Sequence, residues 1–80
     1  MNLWVTTSGK GTRHVAIFDV EQMVSGGFHM PPKVAEFDYP HSHHSRIPDE
    51  VLVGAALDSF LGDYQWEIRK GDVPNLWMVW

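Results

Sequence analysis

The sequence predicts a single α+β domain: a small antiparallel sheet of four to five strands, ordered β-β-(β)-α-β-β, with one amphipathic helix packed across a face. Three observations predict it. Short β-branched and aromatic runs sit toward both ends of the chain, the pattern of strands. Between them lies one long apolar-periodic stretch that opens on acidic residues, the pattern of a helix. The chain has only 80 residues, too few for two cores, so these elements share one core over residues 1–80.

Residues 3–7 read as the first strand, and Ser8-Gly9-Lys10-Gly11 as a turn. Residues 14–19 form the second strand, with Val15 and Ile17 on one side and His14, Ala16 and Phe18 on the other. Both sides of this hairpin carry apolar groups, which places it centrally in the sheet or covered on both faces. Residues 21–24 support one helical turn, ended by Ser25-Gly26-Gly27. Pro31-Pro32 imposes extended backbone. Residues 34–37 read as a short third strand at an edge. Residues 38–46 read as a long polar loop.

The helix is expected over residues 47–61. Pro48 suits its first turn, and Asp49 and Glu50 sit at the positive end of its dipole. Ser45 is a candidate cap, and Gly62 a stop. The expected buried stripe is Ile47, Val51, Leu52, Ala55, Ala56 and Phe60. Gly54 weakens a helix by up to about 1 kcal/mol relative to Ala, which predicts close packing against the sheet there. Residues 64–69 then alternate, with Tyr64, Trp66 and Ile68 toward the core. A turn through Gly71, Pro74 and Asn75 leads to a last strand at 76–80, apolar on both faces, closing a second hairpin.

Composition narrows the function classes. The absence of cysteine removes thiol nucleophiles, iron–sulfur clusters and Cys-ligated zinc, and it points to a reducing compartment, the cytoplasm. The first residues lack a basic-then-apolar leader, and the run 51–61 is far short of a membrane span. Formal net charge is −4, with the basic residues scattered. Direct nucleic-acid binding is therefore disfavoured, because phosphate affinity comes largely from Lys and Arg.

Ser8-Gly9-Lys10-Gly11-Thr12 has the residue types of a phosphate loop but neither its spacing nor a following helix, so it reads as a hairpin turn. Lys10 and Arg13 remain available there for an acidic partner. His41-Ser42-His43-His44 admits three readings: a solvated loop, a partner-contacting or pH-sensitive loop, or a metal site using His41, His43 and His44. His14 and His29 read as packed or hydrogen-bonded. No nucleophile elbow occurs, and Asp49-Glu50 is explained by the helix dipole. These readings give a protein without catalytic residues and without a cofactor. Trp4, Trp66 and Trp77 belong to the sheet, while Trp80 either caps the core or meets a partner.

In size, lack of cysteine, acidic balance, compact α+β layout and missing enzymatic motif, the chain resembles the small phage-encoded inhibitors, the anti-CRISPR proteins among them. The resemblance implies a non-enzymatic, stoichiometric blocker of a host protein. Its target would be a CRISPR effector subunit or that effector's DNA-binding surface, reached in the host cytoplasm. The contact residues expected from side-chain chemistry are Asp38, Tyr39, His41, His43, His44, Arg46, Asp49 and Glu50. Exposed carboxylates at Glu36, Asp38, Asp49, Glu50, Asp58 and Asp63 would meet a basic groove. Besides the metal-binding alternative, a structural subunit pairing through an exposed strand edge is a third reading. The chain is expected to be a monomer or a homodimer.

Overall fold

A computed structural model of the chain describes residues 1–27, 29–40 and 47–80. Its elements are β1 (Leu3–Ser8), β2 (Arg13–Asp19), α1 (Val20–Gly26), β3 (Lys33–Tyr39), α2 (Asp49–Leu61), β4 (Ile68–Lys70) and β5 (Leu76–Val79). The five strands form one antiparallel sheet in the order β3-β2-β1-β5-β4. The α+β class, the two hairpins, the central first hairpin and the edge position of the third strand are all as expected.

The strand order explains why a helix of this length lies where it does. β3 and β4 occupy opposite edges, so the chain between them must cross the whole sheet. Four inter-strand spacings of about 4.8 Å make a width of about 19 Å. The 13 residues of α2 rise about 1.5 Å each, roughly the same distance. Crossing one face, α2 closes a core of Leu3, Val5, Val15, Ile17, Trp77 and Val79 with its own Leu52, Val53, Ala56 and Leu57. Ala35, Phe37, Tyr39, Trp66 and Ile68 pack around that cluster.

Four local expectations are corrected. The buried stripe of α2 is Leu52, Val53, Ala56 and Leu57; Val51 is 56% exposed, and Ala55 and Phe60 also face outward. α2 carries apolar residues around much of its circumference, so spacing alone left its rotation open, and packing on the sheet chose it. Pro48 precedes the helix as its N-cap, with extended backbone, instead of lying in its first turn. A Cβ on Gly54 would meet only the Trp66 ring, at an ordinary 3.6 Å, so the glycine does not serve a close approach to the sheet. Tyr64 is 75% exposed; backbone pairing with the last strand begins only at Glu67, which exchanges hydrogen bonds with Trp80.

A second helix is present where one turn was expected. Asp19 caps α1, its carboxylate accepting from the Gln22 backbone N–H at 3.2 Å and from Gln22 Nε2 at 3.0 Å. An acidic cap with Gln three residues on is a capping-box pattern, and it extends the helix back to Val20. Gly27 ends it in the left-handed conformation (φ 71°). In the first hairpin Gly9 has φ 90°, and a Cβ there would lie 2.1 Å from the Thr12 carbonyl oxygen. Only glycine makes that turn.

Candidate functional site

Strand alternation sends the consecutive residues Arg13 and His14 to opposite faces of the sheet, and each anchors acidic partners from distant sequence. Arg13 shares the core face with Val15 and Ile17. It is only 8% exposed and lies opposite Tyr39 in the β2–β3 register. Its Nη2 donates to the Asp49 carboxylate at the start of α2, and its Nη1 donates to the Ile47 carbonyl at 3.0 Å. One guanidinium thus ties β2, beside the end of β3, to the beginning of α2. Burial raises the Tyr39 phenol above its ordinary pKa, so it stays neutral there.

His14 lies on the other face, directly opposite Asp38. Its Nδ1 bonds the Asp38 carboxylate, and its Nε2 stands 2.7 Å from Glu36 Oε1. A neutral imidazole has a single N–H, so both contacts are hydrogen bonds only when the ring is protonated. The Asp38 bond, aided by Glu36 and opposed by partial desolvation, raises the His14 pKa above 6.5. Lys33 Nζ, 2.9 Å from Glu36, and then His14 hold the Glu36 carboxyl below its ordinary 4.5.

Of the residues expected to form the contact surface, Asp38 and Tyr39 end β3 and do not open the loop. Their pairing with His14 and Arg13 prolongs the strand beyond residue 37. Asp49 is committed to Arg13 and half-buried, not a free surface carboxylate, whereas Glu50 is exposed in the first turn of α2. His41, His43, His44 and Arg46, and with them the metal-site alternative and the Ser45 cap, lie outside the described residues. Among the described residues, no three His, Asp or Glu side chains could hold a metal ion together. His29 is exposed rather than packed. Arg13, expected to face a partner, is instead buried; its parity with Val15 and Ile17 is the sequence signal for that.

The face of the sheet away from α2 carries Trp4, Thr6, Phe18, Leu76 and Met78, all half-buried, around a buried Ala16. In register, Trp4 lies between Phe18 and Met78, and Thr6 between Ala16 and Leu76. None of these residues belongs to the core that α2 closes, and α1 buries only Val20. The His14–Glu36–Asp38 cluster borders this face on the β3 side. On the β4 side Arg69 lies over the Trp80 ring, 5.3 Å from its centroid. Both outer strands carry charge, Lys33, Glu36 and Asp38 on one and Arg69 and Lys70 on the other, which disfavours edge-to-edge pairing.

No described helix is long and apolar enough to cross a membrane. No family model, curated protein or solved structure matches this chain.

Proposed function

We propose that this domain is a non-enzymatic protein-binding module that docks through the open face of its sheet and the loop stems beside it. The supporting observation is the face itself. Trp4, Phe18, Leu76 and Met78 form an aromatic and aliphatic centre bordered by ionisable groups, the anatomy of an interface with an apolar core and a polar rim. The neighbouring stems are held by Arg13 and His14, so the side chains they present are preorganised. The net charge of −4 and the exposed Glu36, Asp38, Glu50, Asp58 and Asp63 suit a partner with a basic surface.

In its sharper form the partner is a CRISPR effector subunit, bound in the host cytoplasm, and the chain covers the basic surface on which the effector holds DNA. The profile shared with the small phage-encoded inhibitors and the acidic balance support this form. Purified effectors mixed with the chain at equal stoichiometry test it. Loss of target-DNA binding, restored when Phe18→Asp replaces the native chain, is the expected result. Undiminished DNA binding by every effector would sink the sharper form. The general form fails if Phe18→Asp, folded by circular dichroism, retains every protein that the native chain captures.

A further inference from the structure

A cavity of about 620 Å³ opens beyond the end of α2, lined by Tyr64, Gln65, Trp66, Glu67 and Trp80. Three of these five residues are aromatic and one is a carboxylate. We propose that the cavity binds an organic cation of the quaternary-ammonium class, held by the Tyr64, Trp66 and Trp80 rings and the Glu67 carboxylate. The site does not rest on the docking reading, since a small cation can enter whether or not a protein covers the sheet.

The backbone fixes which groups converge. Glu67 and Trp80 exchange both backbone hydrogen bonds, at 3.0 and 3.1 Å. Residues paired in this way project from the same face of a sheet, with Cβ atoms about 5.5 Å apart. The carboxylate and the indole therefore stand side by side. Trp66 packs against the core cluster, with the tip of its ring beside Gly54 of α2, so that wall is held in place. Tyr64 is 75% exposed and Trp80 46% exposed, although large aromatic side chains gain much from burial. A ligand between them would supply the contact that the fold withholds.

Electrostatics select the ligand. The face of an aromatic ring attracts a cation placed within about 6 Å of its centroid. At Trp80 the chain's own Arg69 does this, at 5.3 Å. Arg69 does not line the cavity, which leaves the Trp80 surface there to a second cation. Glu67 and the nearby Asp63 are exposed and have no ion-pair partner among the described residues, so their two charges outweigh that of Arg69. An unmodified ammonium is strongly hydrated and carries three N–H donors, which a lining made mostly of rings serves poorly. A quaternary ammonium has no N–H to satisfy, and its methyl groups pack directly on the rings.

The test is a titration of the ¹⁵N-labelled full chain with tetramethylammonium chloride. The controls are sodium chloride at matched ionic strength and tert-butanol, a neutral molecule of similar shape. Saturable shifts at the Trp66 and Trp80 indole N–H and the Gln65 side-chain amide, in the millimolar range or tighter, are expected for the cation alone. Trp80→Leu and Tyr64→Leu keep apolar bulk but remove a ring, and each should weaken binding about threefold. Glu67→Gln should weaken it by about the same factor. Tyr64 and Glu67 are exposed, so their variants keep the fold even if Trp80→Leu does not. Choline and a peptide carrying trimethyllysine then distinguish a free ligand from a protein tail, the tighter binder naming the source. Shifts that stay linear, that sodium chloride or tert-butanol reproduces, or that Tyr64→Leu and Glu67→Gln both leave unchanged overturn the site.

Discussion

The Arg13 guanidinium reaches across 36 positions of sequence to the Asp49 carboxylate, and so sets where α2 begins relative to β2. The same guanidinium holds the Ile47 carbonyl just ahead of the helix. This pair is mostly withdrawn from water, with side-chain exposures of 10% and 29%, so it is weakly screened by salt. Removing one partner leaves a buried charge uncompensated, which costs about 3–5 kcal/mol. The partial exposure of Asp49 places Asp49→Ala near the lower figure. Glu50→Ala, one residue further on and fully outside, should cost no more than about 1 kcal/mol through the helix dipole. Urea denaturation of the two variants, at low and moderate salt, measures the contrast. Similar losses in both would show that Arg13 does not anchor the helix.

The His14 cluster makes stability depend on pH in a defined direction. A raised imidazole pKa contributes stability that is fully present below 6.5 and is lost as pH rises through the higher folded value. A lowered Glu36 pKa contributes stability that is present above 4.5 and is lost as pH falls through the lower folded value. Both contributions are therefore complete between about 4.5 and 6.5. In His14→Gln the fall in denaturation midpoint from pH 6 to pH 9 should shrink relative to the native chain. An unchanged pH profile would show that His14 is not protonated between its two carboxylates.

Two glycines are expected to respond in opposite directions. Gly54→Ala places its methyl at an ordinary 3.6 Å from Trp66 and improves helix propensity, so it should stabilise by up to about 1 kcal/mol. Gly9→Ala demands a left-handed backbone, with the methyl 2.1 Å from the Thr12 carbonyl oxygen, and should cost about 2 kcal/mol or more. Melting temperatures of the two variants give the signs directly. A destabilising Gly54→Ala would restore the idea that this glycine exists for close packing.

The rotation of α2 is open to an equally direct measurement. Leu57 has no exposed surface, and Leu57→Ala should cost about 2–5 kcal/mol. Val51, expected from spacing to be buried, faces water, and Val51→Ala should stay within about 0.5 kcal/mol of the native chain. The reverse order of effects would place the other face of the helix on the sheet.

The sequence by itself determined the class of the fold, its hairpins, its central and edge strands and the place of the long helix. These follow from local causes: β-branched alternation, turn glycines and an acidic first turn ahead of an apolar run. It also contained the capping signal of α1, in Asp19 and Gln22, and the parity that puts Arg13 beside Val15 and Ile17. Three things were decided by tertiary structure alone. The face of α2 that is buried depended on packing, because its apolar residues surround much of the helix. The partners of Arg13 and His14 depended on strand register and on the crossing of α2, which bring Asp38 to His14 on one face and Asp49 to Arg13 on the other. The exposed aromatic face depended on α2 covering only one side of a sheet whose strands are apolar on both. Alternation identifies two faces but cannot say which one a single helix will leave open.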